Sequence, residues 1–150
     1  MDNKTLKIEF GNLAVVNNFI YAFGGWYMQF DECIQILELQ KSRFGNYYIL
    51  NIKIMIQDLF GQKYQINKEL INRSCGHIDS NETAEFSKFL DLDNQISDDE
   101  RLLGLKNLFF QHIMPFTKKM QTNKSIVVQI NNGSVKVMPI IFKNLQNIIQ

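Results

Sequence analysis

Cys33-Ile34-Gln35-Ile36-Leu37-Glu38-Leu39-Gln40-Lys41, Ser42-Arg43-Phe44-Gly45-Asn46-Tyr47 and Tyr48-Ile49-Leu50-Asn51-Ile52-Lys53-Ile54-Met55-Ile56 follow one another without a break. Two runs rich in β-branched and aromatic residues flank a short polar segment that carries Gly45-Asn46. This pattern predicts a β-hairpin with a longer, glycine-containing loop. The second run alternates cleanly: Tyr48, Leu50, Ile52, Ile54 and Ile56 fall on one face, read as the core face. Tyr47, Ile49, Asn51, Lys53 and Met55 fall on the other. The first run alternates less well, because Ile34 and Ile36 point one way and Leu37 and Leu39 the other. A bulge or burial on both faces accounts for that.

Working outward, Leu6, Phe10, Leu13, Val16, Ile20 and Phe23 recur at steps of three and four. They predict an amphipathic helix over 6–23 that ends at Gly24-Gly25. Trp26 to Phe30 then reads as a strand. Beyond the hairpin, Asp58-Leu59-Phe60-Gly61 reads as a turn, and 64–73 as either a strand or a short helix. His77-Ile78-Asp79 reads as a further strand, and 82–90 as a short helix. Ser97-Asp98-Asp99-Glu100 has the form of a capping box, in which the serine hydroxyl and the glutamate each satisfy a free amide. Leu102, Leu105, Phe109, Ile113, Phe116 and Met120 continue at helical spacing, and Pro115 should kink or end that helix. Residues 125–137 fit a hairpin turning at Asn132-Gly133 or a short helix closed by Gly133. Residues 140–149 read as a last helix after Pro139. The sum is a single α+β domain over 1–150, with an antiparallel meander of three or more strands and helices packed on one sheet face.

Composition sets the class. The 150 residues are 45% hydrophobic and 21% charged, with a net charge of +1, which is a folded globular balance. Two cysteines, Cys33 and Cys75, are too few for a disulfide scaffold. The first nine residues mix charges and do not read as a signal peptide. The uncharged stretch from Phe10 to Phe30 is broken by Asn12, Asn17, Asn18 and Gly24-Gly25 and is not read as a membrane span. A cytoplasmic protein with reduced thiols is the expectation.

A family resemblance accompanies this order of elements. Phe23-Gly24-Gly25-Trp26-Tyr27, the run from Leu39 through Gln40-Lys41-Ser42 to Tyr48, Leu90-Asp91-Leu92-Asp93, Ile96 to Arg101 and Ile113-Met114-Pro115-Phe116 carry it. Over about residues 5–120 the chain resembles the bacterial family called domain of unknown function 4304. The Leu-Gln-Lys-Ser strand end is its most specific part, and residues after Thr122 do not match. The resemblance implies a single-domain intracellular bacterial protein and transfers no catalytic residue.

Two groups of residues could form a site. Lys41, Arg43, Tyr47, Asn51 and Lys53 would give the hairpin a basic, partly aromatic outer face suited to binding. Cys75, His77 and Asp79 alternate, so on one strand they would share a side, and all three side-chain types bind zinc. With no second ligand cluster, a partly buried cysteine and a hydrogen-bonded histidine are the default there, and no metal or cofactor is expected. Phosphate loops, nucleophile elbows and zinc-protease motifs are absent from the sequence. Charge is segregated: residues 79–100 hold eight acids and one base, whereas 101–150 hold seven bases and no acid. Helix-end electrostatics account for much of that. Nucleic acid is disfavoured, because a larger basic excess with nearby stacking aromatics would be needed.

The reading therefore leans away from an enzyme and toward a non-catalytic protein-interaction module, for instance a neutralising partner of another protein. A homodimer is compatible with an open sheet face. The alternative is a small enzyme or ligand-binding protein with its site at Cys75-His77-Asp79.

Overall fold

The computed structural model describes residues 1–149. Five strands, β1 (Ile20–Ala22), β2 (Gly25–Gln29), β3 (Cys33–Lys41), β4 (Tyr48–Ile56) and β5 (Ile78–Asn81), form one antiparallel sheet in chain order. The expected hairpin is its centre. β3 and β4 pair without interruption from Cys33↔Ile56 to Lys41↔Tyr48. The irregular alternation of β3 is thus burial on both faces, not a bulge.

One face carries the main core. Cys33, Leu37 and Leu39 of β3 and all five core-face residues of β4 pack there against helices on that side. Helix α1 (Asn3–Val16) starts at Asp2, whose Oδ1 accepts from the Thr5 amide at 2.7 Å, and buries Leu6, Phe10 and Ala14. It stops seven residues before the end expected from periodicity. Asn18 adopts φ 73°, the left-handed conformation that closes helices. The apolar residues Ile20 and Phe23 belong instead to an edge strand and its turn. Phe23 (φ 52°) and Gly24 (φ 84°) make a two-residue hairpin loop with both central residues at positive φ.

The opposite face is not left to solvent. Ile34, Ile36 and Met55 meet Leu70 and Ile71 of the short helix α2 (Lys68–Ile71), with Tyr64 and Ile66 of the strap that precedes it. The longer helices share one face, as expected, and the four-residue α2 with its strap covers the other. The 64–73 segment resolves to its helical alternative.

Helices α3 (Ala84–Leu90) and α4 (Asp98–Leu108) follow β5. Ser97 caps α4, its Oγ accepting from the Glu100 amide at 3.1 Å. The return bond from the Glu100 side chain is absent among the described residues, so half of the capping box forms. α4 runs into a π-helical turn at Phe109–Ile113 and on into α5 (Met114–Lys118). Pro115 neither ends nor sharply breaks the rod. It has no amide to donate, and the wide turn ahead of it, closed by Met114 N–H to Phe109 O, re-registers the ladder. In the tail, 123–131 is helical: α6 (Asn123–Asn131) is capped by Thr122 and followed by Gly133 at φ 81°. α7 (Pro139–Ile149) closes the chain and adds Ile141 and Leu145 to the core. No helix among the described residues is long and apolar enough to cross a membrane.

Candidate functional site

The five hairpin residues do not form one surface. Lys41 and Arg43 are exposed at the loop end. The Lys41 ammonium donates to Gly45 O (3.2 Å) and Asn46 Oδ1 (2.6 Å), which stiffens the loop. Tyr47 is half-buried and bridges to Asp91. Asn51 sits in an amide ladder across three strands. Its Nδ2 donates to Gln40 Oε1 (2.9 Å) and Glu38 Oε1 (3.3 Å), and its Oδ1 accepts from Asn81 Nδ2 (2.9 Å).

Lys53 is the main departure. Strand alternation assigns it to an outer face, yet its side chain is only 1% exposed. The α2 strap covers it, and its ammonium donates to Ile71 O (2.9 Å), Arg73 O (2.6 Å) and Glu38 Oε1 (3.3 Å). All three of its donors are engaged. Lys53 is a buried pin that holds the strap to the sheet, so it cannot offer a charge to a partner.

Cys75, His77 and Asp79 do not converge either. β5 begins only at Ile78, so the three do not share a strand face. Asp79 Oδ1 accepts from Gly76 N–H at 2.7 Å, and Cys75 is exposed. The His77 ring is held at both nitrogens. Nδ1 accepts from Ile56 N–H at 2.9 Å, which leaves the proton on Nε2, 3.3 Å from the Tyr64 hydroxyl. Burial, helped by the charge of Arg73, pushes its pKa down to about 4. This is a neutral, structural histidine. Among the described residues no three His, Cys, Asp or Glu side chains are arranged to hold a metal ion.

Other buried polar groups have structural partners as well. The Cys33 thiol donates to Met120 O at 3.1 Å, and burial, followed by the charge of Glu32, pushes its pKa up to about 12. That keeps it an inert thiol. Glu82 lies in a groove of about 360 Å³ beside Tyr47 and Tyr48, and burial raises its pKa. Its carboxylate accepts from Leu50 N–H at 2.8 Å, replacing the strand partner that β5 no longer supplies. Buried Arg101 clamps the 89–94 loop through Phe89 O, Asp91 O and Asn94 O, each at 2.9 Å.

The surface that periodicity missed is a cleft of about 740 Å³ between the end of α1, β2 and the α4–α5 rod. Leu13, Met28, Phe109, Phe110 and Met114 supply its apolar walls. Lys106, Lys118 and Lys119 stand at its edge, with no acidic residue among the lining side chains. The π turn shapes it, sending Phe109 into the core and leaving the adjacent Phe110 79% exposed. Thr117 and Gln35 brace the far wall: Thr117 Oγ1 donates to Ile113 O (2.9 Å), and Gln35 Nε2 donates to Thr117 O (2.6 Å). None of the three lysines belongs to an ion pair among the described residues. Two signals in the sequence pointed here: the Phe109-Phe110 doublet, of which a helix buries only one, and Lys118-Lys119 in the acid-free last third.

Fold and surface define a class: a small antiparallel α+β domain whose buried polar groups hold the structure together, and which presents a lysine-edged apolar cleft. The family model described as Domain of unknown function (DUF4304) matches residues 19–119, two-thirds of the chain, and the protein belongs to that family. The match starts after α1, later than the resemblance read from the sequence, and ends before α6. No curated protein and no solved structure matches the chain.

Proposed function

We propose that the protein is a non-catalytic binding module that receives an acidic, amphipathic segment of a partner protein in the cleft beside the π turn. The observation that carries this reading is Phe110, 79% exposed beside three lysines that form no ion pair, and with no acid lining the cleft, among the described residues. What marks Phe110 is that its exposed ring continues the apolar wall of a cleft, since contiguous apolar surface signals interaction sites, and π turns are frequent at functional sites. Interface energy concentrates in such aromatic anchors, while rim charges set partner choice and encounter rate. A projecting ring suits a protein surface better than a small ligand, because small-molecule sites enclose most of the ligand surface. A neutralising role, in an intracellular bacterial setting, is the form of this module that the reading favours. The partner's acidic segment would then be held away from its own target.

Fluorescence anisotropy tests the proposal with a labelled helical peptide of leucine and glutamate and a lysine-containing counterpart. The acidic peptide is expected to bind, and binding should weaken at least tenfold with Phe110→Ser or with Lys118→Glu/Lys119→Glu. Raising salt should weaken it further, as it does for exposed charges. Equal binding of both peptides, or full binding by the variants, would remove the reading. Competition by dodecanoate but not by peptide would transfer the cleft to a small anionic amphiphile.

A further inference from the structure

The uncharged run from Phe10 to Phe30 is not explained by the cleft. It builds the outer side of α1, the edge strand β1 and its turn. Edge strands are normally guarded by shortness, lysine, proline, a bulge or a covering element, because their free amides and carbonyls template pairing with another chain. β1 is guarded by its shortness alone: it ends the sheet with three residues, and no charged side chain occurs from residue 10 to residue 30. Its two-residue loop makes Ala22↔Gly25 the hydrogen-bonded pair. The next residue, Tyr21, therefore turns its N–H and C=O to the open side. Its side chain is 62% exposed and edges onto Trp26 at 5.7 Å between ring centroids.

One residue that offers both a donor and an acceptor on an open antiparallel edge is self-complementary. We infer that β1 pairs with β1 of a second copy of this chain about a two-fold axis at Tyr21, joining two sheets into one of ten strands. The two α1 helices then lie side by side over the seam. Ile8, Val15 and Tyr21, which line a hollow of about 390 Å³, face their counterparts there. Val16 and Phe23 extend the patch and are both more than half exposed. An exposed apolar patch continuous with an open sheet edge marks a protein–protein contact, and a stable pair buries roughly 800 Å² on each partner. The strand is short, so the helices supply most of the buried area and the strand sets the register. This pairing does not rest on the proposed acidic partner, whose cleft shares only Leu13, Asn17 and Asn18 at the end of α1 with this side of the molecule.

Sedimentation of the full chain tests the inference, with cross-linking fixing the register. The wild type is expected at twice its 17.6 kDa monomer mass at micromolar concentration. Tyr21→Lys and Val15→Lys, which place like charges across the axis at exposed positions, are expected to sediment as monomers with unchanged far-UV circular dichroism. In a Cys75→Ser background, Tyr21→Cys should oxidise to a covalent dimer, because its two copies meet at strand-pair distance. Phe44→Cys, on the distant hairpin loop, should not. A monomeric wild type, a dimer that survives both lysine substitutions, or cross-linking at Phe44→Cys as fast as at Tyr21→Cys would each overturn the inference. Peptide binding at Phe110 would be unaffected by any of these results.

Discussion

Ile52, Lys53 and Asn51 are neighbours in β4, and each answers to a different environment. Ile52 is fully buried between helices and sheet. Ile52→Asp places an unpaired carboxylate there and should cost more than about 4 kcal/mol, enough to unfold many domains. Lys53→Ala removes three hydrogen bonds and leaves two strap carbonyls short of a donor, for an expected loss of about 2–4 kcal/mol. Asn51→Asp, at a half-buried position beside the strap, loses two donated bonds and sets a second carboxylate beside Glu38. It should cost about 1–2 kcal/mol. Urea denaturation of the three variants checks the order Ile52 > Lys53 > Asn51; a silent Lys53→Ala would mean that the strap is not pinned by it. His77 adds a pH dependence. Its folded pKa is depressed to about 4 from an ordinary 6.5. The unfolded chain therefore binds the extra proton first, and stability is complete above about pH 6.5 and falls as pH drops toward 4. Allowing for its partial exposure, the loss is about 1–2 kcal/mol. Removing the ring with His77→Gln should flatten the melting temperature between pH 6.5 and 4.

At the scale of elements, the cap of α4 gives a clean test. Ser97→Ala should cost about 1 kcal/mol, whereas Glu100→Ala should change thermal stability little, because Glu100 makes no return bond. Equal losses from both would show a complete capping box in solution. The cap could be read because a serine followed by three acids leaves one sensible helix start. The hairpin could be read because β4 alternates strictly over nine residues. Other elements were hidden for identifiable reasons. In 6–23 the apolar steps of three and four ran through Ile20 and Phe23, which mimic a helix face, while the actual stop was Asn18 in a left-handed conformation. Two-residue periodicity assigns Lys53 a face but says nothing of what covers that face. The covering strap, 62–73, carries too few apolar residues to show a period. The cleft escaped for a related reason: periodicity marks the face that a helix buries, here Leu105, Phe109, Ile113 and Met120, and says nothing of the hollow beside the exposed Phe110.

For the whole molecule, the family match and the folding unit do not coincide. Residues 19–119 contain the sheet and the α4–α5 rod, yet the core is completed from outside them. Leu6, Phe10 and Ala14 of α1 enter from before the match, and Ile126, Ile141 and Leu145 of α6 and α7 from after it. Phe10 alone stacks on both Trp26 and Phe109, at centroid distances of 5.1 and 4.9 Å. The Cys33 thiol reaches Met120 O, just past the match. Each buried aliphatic or aromatic side chain contributes about 1.5–3 kcal/mol, so losing six of them removes an amount comparable with the whole stability of a domain, about 5–15 kcal/mol. The fragment 19–119 is therefore expected to show no cooperative thermal transition and to bind a hydrophobic dye, while the full chain melts in one step. A fragment that melts cooperatively near the full chain's temperature would show that α1, α6 and α7 decorate the core without completing it.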